Sequence, residues 1–94
     1  MKIIDVETYV LLADNYDPNL TSSAQDTCLV IIKTDEGIEG YGECDTSPWV
    51  AKAFIESPGT HTMDQCVKDI LIGSDPLKID DLWSKIYVGT AMTG

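Results

Sequence analysis

The chain has 94 residues, of which 44% are hydrophobic and 23% charged, and this composition is typical of a single folded globular domain. Sixteen acidic residues against six basic ones give a formal net charge of -10. Such a charge disfavours binding to nucleic acid or to anionic membranes. All six basic residues are lysines, so the chain lacks the bidentate clamp that arginine offers to carboxylates and phosphates.

The cysteines and the single histidine indicate neither a disulfide framework nor a zinc site. Cys28, Cys44 and Cys66 are odd in number and have no Cys-x-x-Cys spacing, and His61 has no second histidine near it. We expect three buried thiols. No signal peptide is visible and no apolar run approaches the roughly 18 residues of a membrane helix, so we expect a cytoplasmic protein with no membrane partner.

The first half of the chain predicts three antiparallel strands, at residues 2–12, 26–34 and 38–44. In the first strand the alternation places one set of side chains on a common face: Ile4, Val6, Thr8, Val10 and Leu12. The sequence Asp35-Glu36-Gly37 predicts the turn of a hairpin. On the third strand Gly40 and Gly42 share a face and leave a groove, which favours close packing over ligand contact.

The connection between the first two strands is long and shows neither a helical nor a strand period. It covers residues 14–25 and is rich in loop-forming residues. Compact domains seldom keep a structureless connection of about 12 residues without a use for it. Spacing alone leaves two interpretations open, a binding or lid segment and a mobile loop.

The second half of the chain predicts three helices. The first, at residues 49–56, follows Ser47-Pro48, where serine can cap the helix. The second is predicted to begin at a capping box of Thr62 and Gln65. Its apolar stripe is Met63, Cys66, Val67, Ile70 and Leu71, with a left-handed stop at Gly73. The third has a stripe of Ile79, Leu82, Trp83, Ile86 and Tyr87, whose aromatic members are predicted to be core or interface residues.

Three strands followed by three helices predict an α+β domain. The sequence contains no phosphate loop, nucleophile elbow or calcium loop, and no serine, histidine and aspartate set around His61. We therefore assign no catalytic residue and no metal ligand to this chain.

Four segments together resemble the amino-terminal capping domain of the mandelate racemase/muconate lactonizing enzyme family, in the enolase superfamily. They are MKIIDVETY at residues 1–9, TDEGIEGYGE at 34–43, IGSDPL at 72–77 and LWSKIY at 82–87. They occur in order and span nearly the whole chain. The resemblance implies a three-stranded meander with about three helices, the fold predicted above.

The resemblance also implies a division of labour between this domain and a (β/α)8-type barrel. In the family, the barrel carries the lysine or histidine base and the carboxylates that hold Mg²⁺, and the reaction begins with proton abstraction next to a carboxylate. Residues 1–94 then form a capping domain that stops before the barrel, binds no cofactor itself and is inactive alone. The expected partners are a barrel in cis or in trans, a small carboxylate substrate and further copies in a homo-oligomer.

By the same resemblance two loops, residues 14–25 and 45–49, would close over the barrel and contact substrate. The candidate substrate-binding residues are Asn15, Tyr16, Asp45, Thr46 and Trp49. The polar loops favour an acid sugar and the dehydratase branch, with racemase and cycloisomerase activities left open. The alternative is a free-standing, non-catalytic module that self-associates or binds a partner.

Overall fold

The computed structural model describes residues 1–21 and 23–93, with only the main chain described at residue 23. The elements are β1 (Ile3–Leu12), a short 3-10 turn (Ser23–Gln25), β2 (Asp26–Thr34), β3 (Glu39–Cys44), α1 (Pro48–Glu56), α2 (Val67–Leu71) and α3 (Ile79–Gly89). This order confirms the predicted α+β class. Across the described residues, no helix has the length and apolar character needed to span a membrane.

The strands form one antiparallel sheet in the order β1-β2-β3, as the meander prediction requires. The hairpin between β2 and β3 turns at Gly37, whose φ of 78° lies in the left-handed region that glycine tolerates. Thr34 closes this turn, because its main-chain N–H donates to the Ile38 carbonyl oxygen at 3.1 Å. Ile38 therefore belongs to the turn, and β3 begins one residue later than predicted.

A β-bulge near the start of β1 changes which side chains face the core. Ile3 lies opposite Thr34 while Asp5 lies opposite Lys33, so β1 has one extra residue between them. Ile3 is consequently 1% exposed and Ile4 is 56% exposed. The prediction that Ile4 lies on the same face of β1 as Val6 is wrong for this reason.

The helices cover one face of β1 and β2, where the core lies. The buried core residues are Ile3, Val6, Ile55, Leu71 and Leu82. β3 extends beyond this cover, since its first five residues are all exposed. A Cβ atom built on Gly40 or Gly42 would meet no described atom within 4 Å. The groove predicted at these glycines is therefore open, and the predicted close packing is not made by the described part of the chain.

The predicted start of the second helix is wrong. α2 begins at Val67, and residues 60–64 form a turn in which His61 pairs with Asp64 as an isolated bridge. The capping box does not form, because the Gln65 main-chain N–H donates instead to the Gly89 carbonyl at 2.8 Å and its side chain to the Thr62 carbonyl at 2.7 Å. Residue 65 thus joins this turn to the end of α3.

The other helix predictions hold in part. Gly73 has a φ of 86° just after α2, as expected of a left-handed stop. Ser47 occupies the cap position of α1 but makes no side-chain capping hydrogen bond, which corrects its predicted role. On α3, Leu82 is buried, whereas Trp83 and Tyr87 are 67% and 73% exposed. The two aromatic side chains are therefore not core residues of this domain.

Candidate functional site

A cleft opens at the end of the sheet where β1 ends, β2 begins and β3 ends. Because neighbouring strands run antiparallel, the connection after β1 and the connection after β3 emerge at this same end. The cleft has a volume of about 560 Å³. We call it the end cleft. Its lining residues are Leu11, Leu12, Ala13, Ala24, Gln25, Asp26, Thr27, Glu43 and Asp45.

The first loop is folded against the base of the end cleft by Gln25. The Asp17 main-chain N–H donates to Gln25 Oε1 at 2.8 Å, and Gln25 Nε2 donates to the Asp17 carbonyl at 3.0 Å. Beside this pair, the Ala13 N–H donates to the Gln25 carbonyl at 2.7 Å. The Gln25 side-chain amide thus satisfies both the N–H and the carbonyl of Asp17, as the main chain of a neighbouring strand would. These bonds fix the main chain of the first loop at Ala13 and Asp17.

The sequence gives little sign of the role of Gln25. Glutamine is common in loops, and its pairing with Asp17 spans eight positions of irregular chain. The one local signal is the position of Gln25, immediately before the first residue of β2. Sequence reasoning missed this residue.

Asn15 and Tyr16 lie in a turn just after β1, outside the lining of the end cleft. The Tyr16 N–H donates to the Ala13 carbonyl at 3.0 Å, which turns the chain at this point. Asn15 is exposed and Tyr16 is 47% exposed. Both side chains are therefore accessible on the same end of the domain as the cleft.

The second loop contributes Asp45 to the end cleft and directs its other candidates elsewhere. Thr46 is exposed and does not line the cleft. Trp49 lies in the first turn of α1, where it is 65% exposed and borders a separate shallow depression with Lys52 and Pro58. Of the five candidates, only Asp45 lines the end cleft, which it shares with Ala13 and Gln25 at the base of the first loop.

The end cleft carries acidic side chains and no basic one. Asp26, Glu43 and Asp45 are in its lining. Thr27 Oγ1 donates to Glu43 Oε2 at 3.3 Å, which ties one of these carboxylates to β2. Carboxylate oxygens accept hydrogen bonds from hydroxyl groups. The cleft is therefore suited to a hydroxyl-bearing group and offers no cation to hold a carboxylate.

Metal binding is not supported by the side chains of the described ranges 1–21 and 23–93. They contain no group of three histidine, cysteine, aspartate or glutamate side chains arranged to hold an ion. The residues present do not fit a Mg²⁺ site, although three carboxylates line the end cleft.

A half-buried ion pair fixes α1, and with it the second loop, against the sheet. Lys52 Nζ donates to the carbonyl and the hydroxyl oxygen of Thr8 at 2.9 and 3.0 Å, and it lies 3.0 Å from the Glu56 carboxylate. Burial raises the pKa of Glu56, but hydrogen bonds from Lys52 and Thr8 outweigh this effect and the pKa is lowered. Glu56 therefore stays ionised and keeps Lys52 directed at β1.

Comparison with known proteins agrees with this architecture. The sequence profile of the family described as "Mandelate racemase / muconate lactonizing enzyme, N-terminal domain" matches residues 10–93. A D-galactonate dehydratase from Ralstonia nicotianae is 37% identical over 59 residues, which are 62% of this chain and 13% of the dehydratase. The chain thus spans about an eighth of that relative.

Solved structures show the same fold. A predicted mandelate racemase from Rhodobacter sphaeroides superposes with a TM-score of 0.85 at 23% identity, over 97% of this chain and 24% of that one. A dipeptide epimerase from Enterococcus faecalis V583 gives 0.65 at 22% identity, again over 97% of this chain and 24% of the other. The chain therefore belongs to the mandelate racemase/muconate lactonizing enzyme family, as an amino-terminal capping domain of the enolase superfamily.

Proposed function

We propose that this chain is the substrate-capping part of a Mg²⁺-dependent enolase-superfamily enzyme that dehydrates an acid sugar. One observation carries the proposal: the loops that follow β1 and β3 meet at a single end of the sheet and enclose the end cleft. A domain with its irregular segments gathered at one end is suited to closing the mouth of a barrel. A barrel joined in cis or in trans would complete the site.

The chemistry requires this division of labour. Removing a proton next to a carboxylate leaves an enediolate, and sites of this kind use a lysine or histidine base with Mg²⁺ to stabilise its charge. In this chain, no set of described side chains fits the metal, and we assign both the metal ligands and the base to the barrel. The role left to the two loops is to exclude water and to orient the distal part of the substrate.

The lining of the end cleft supports a polyhydroxylated substrate. Asp26 and Asp45 present acceptors to substrate hydroxyls, and the lining has no basic side chain to hold a carboxylate. The substrate carboxylate must therefore point away from the cap, toward the metal of the barrel. The dehydratase relative acts on an acid sugar, D-galactonate, by its name. Racemase, epimerase and cycloisomerase activities are the alternatives within the family.

A domain exchange tests the proposal. The whole domain of the Ralstonia nicotianae dehydratase that contains the 59 matching residues is replaced by residues 1–94, and D-galactonate dehydration is measured in the chimaera. We expect activity, and we expect Asp45→Ala to raise KM by about tenfold or more through the loss of a charge-assisted hydrogen bond. Asp80→Ala, on α3, is the matched control and should leave KM unchanged. A folded chimaera whose KM is the same with Asp45 and with Asp45→Ala would contradict the proposed contact between Asp45 and substrate.

A second candidate function is self-association or partner binding without catalysis. The observation that favours it is the apolar side of α3, where Trp83, Tyr87 and Val88 are 67%, 73% and 62% exposed. Large exposed apolar patches mark interaction sites. We propose a homo-oligomer in either case, and sedimentation of wild type and Trp83→Ser distinguishes an α3-dependent assembly from a monomer.

A further inference from the structure

We propose that Cys28 and Cys44 form a reversible cross-strand disulfide, which ties the start of β2 to the end of β3. The two residues are direct partners in the register of the sheet, and both are free thiols in this structure. Directly opposed side chains lie on the same face of a sheet. Two thiols are therefore adjacent at the end of the sheet that carries the end cleft.

The strand geometry permits the bond with a small adjustment. The hydrogen bond from Thr34 N to Ile38 O makes that pair a hydrogen-bonded one, and alternation along the ladder gives the same type to Cys28 and Cys44. Such pairs have Cα atoms about 5.5 Å apart, within the disulfide range of about 4.4–6.8 Å. Their Cβ atoms, about 4.5–5.5 Å apart, must approach to about 3.8 Å. The resulting strain makes a bond that thiols reduce readily.

The end of β3 is free to make this adjustment. β3 is an edge strand whose residues 39–43 are exposed, and the space beside Gly40 and Gly42 holds no described atom within 4 Å. By contrast, Cys28 lies on the central strand and is 0% exposed. Cys44 therefore moves toward Cys28 with little loss of packing.

The unequal burial of the two thiols gives the reaction an order. Burial raises the pKa of Cys28, and the neighbouring Cys44 raises it further, so Cys28 reacts second. With hydrogen peroxide as oxidant, the Cys44 thiol loses its proton and the resulting thiolate attacks one peroxide oxygen. The O–O bond breaks, and the hydroxide that leaves takes up this proton, so that sulfenic acid and water form. The Cys28 sulfur then displaces hydroxide from the Cys44 sulfur, and the Cys28 proton leaves with it as water. Two electrons pass from the thiols to the peroxide.

The consequence falls on the second loop. Cys44 immediately precedes Asp45, so the disulfide fixes the main chain from which the Asp45 side chain enters the end cleft. Formation of the disulfide does not depend on the proposed function, whereas any effect on substrate capping rests on that function. Oxidation would then hold the end cleft in one conformation until a thiol reductant breaks the disulfide.

The lysines of the chain allow a direct test. Trypsin cuts after Lys33, Lys52 and Lys68 and so places each cysteine in its own peptide, residues 3–33, 34–52 and 53–68. The folded chain is treated with hydrogen peroxide, its remaining thiols are alkylated and the digest is analysed by mass spectrometry. We expect peptides 3–33 and 34–52 to be joined by a disulfide that a thiol reductant breaks. Cys44→Ser should abolish the link and Cys66→Ala should keep it.

Other oxidation products would overturn the proposal. These are a link between two copies of peptide 34–52, a Cys44 sulfinic acid with Cys28 still alkylatable, or no change at peroxide concentrations that oxidise a model thiol. The effect on the loop has its own readout, hydrogen exchange of residues 45–47, which we expect to slow by about tenfold on oxidation as local opening is restricted. Unchanged exchange in the linked protein would refute the control of the loop while leaving the thiol pairing in place.

Discussion

The Gln25 side chain holds the main chain of Asp17 through two hydrogen bonds, accepting from its N–H at 2.8 Å and donating to its carbonyl at 3.0 Å. Asp17 in turn accepts from the N–H of Asn19 at 2.9 Å through its own carboxylate. One side chain, immediately before β2, therefore anchors the first loop at Asp17, close in sequence to the exposed residues Asn15 and Tyr16.

Removing the Gln25 side chain should release this loop. For Gln25→Ala we expect a loss of about 1–2 kcal/mol in the free energy of unfolding, from two hydrogen bonds, and faster hydrogen exchange at the Asp17 amide. Gln65→Ala is the matched control, because Gln65 Nε2 donates to the Thr62 carbonyl in another turn. Equal exchange at Asp17 in wild type and Gln25→Ala would show that the loop is ordered by other contacts.

Gly59 should be the least replaceable of the glycines whose surroundings are described. A Cβ atom at this position would lie 1.8 Å from the Asp64 carbonyl oxygen, which is main chain and cannot rotate away. We expect Gly59→Ala to lower the free energy of unfolding by about 1–3 kcal/mol. Gly40→Ala is the control in open space and should instead stabilise β3 by up to about 1 kcal/mol. Urea unfolding of the two variants compares them, and equal midpoints would be incompatible with the close contact at Gly59.

The ion pair between Asp5 and Lys68 should make stability depend on acid pH. The hydrogen bond from Lys68 Nζ, 3.0 Å from Asp5 Oδ1, is the main cause that holds the pKa of Asp5 below its ordinary value. A lowered folded-state pKa contributes stability above the unfolded pKa and loses it as pH falls through the folded one. The urea-midpoint difference between wild type and Asp5→Asn should therefore be present at about pH 6 and decrease as the pH falls below the ordinary aspartate pKa of about 3.9.

In the wild type, the Val6 N–H donates a hydrogen bond to Asp5 Oδ1 at 2.9 Å. Asp5→Asn suits this test because the amide oxygen of the new side chain can still accept this hydrogen bond. Asp81→Asn, on α3, controls for the loss of one negative charge from an acidic protein. If the difference between wild type and Asp5→Asn stays unchanged from about pH 6 to well below the ordinary aspartate pKa of about 3.9, the charge of Asp5 does not stabilise the fold.

The two sides of α3 should respond differently to truncation. Leu82 is 9% exposed and belongs to the core cluster, so Leu82→Ala should cost about 2–5 kcal/mol. Trp83, one residue away, is 67% exposed, and Trp83→Ala should change monomer stability by about 0.5 kcal/mol or less. Thermal unfolding measured at low protein concentration makes the comparison. A large loss for Trp83→Ala at that concentration would mean that this side chain is buried in solution.

Strand alternation and helical periodicity were enough to predict the element types, their order and most of their bounds. They failed where a local main-chain interaction changed the pattern. At Ile3 a bulge inverts the alternation, and the main chain there is held by bonds to residues 73–74, far along the chain. At Gln65 the main-chain N–H is taken by Gly89, so the predicted capping box is replaced by a turn. Neither long-range partner is visible in a local pattern.

The candidate site was likewise predicted in part from the sequence. The strand order places the loops after β1 and β3 at the same end of the sheet, and the position of Asp45 in the end cleft agrees with it. The outward placement of Trp49 does not, because it depends on how Lys52 anchors α1 to Thr8 of β1. Substrate contact by Asn15, Tyr16, Asp45, Thr46 and Trp49 stays a prediction.

We propose that this chain caps a catalytic barrel and that the barrel supplies the catalytic groups. The most direct measurement is acid-sugar dehydration by the purified 94-residue chain with Mg²⁺, followed as the ketone that loss of water creates and semicarbazide detects. The Ralstonia nicotianae dehydratase serves as the positive control. We expect ketone formation no faster than in buffer with Mg²⁺ alone. Ketone formation in proportion to the concentration of this chain alone would contradict it.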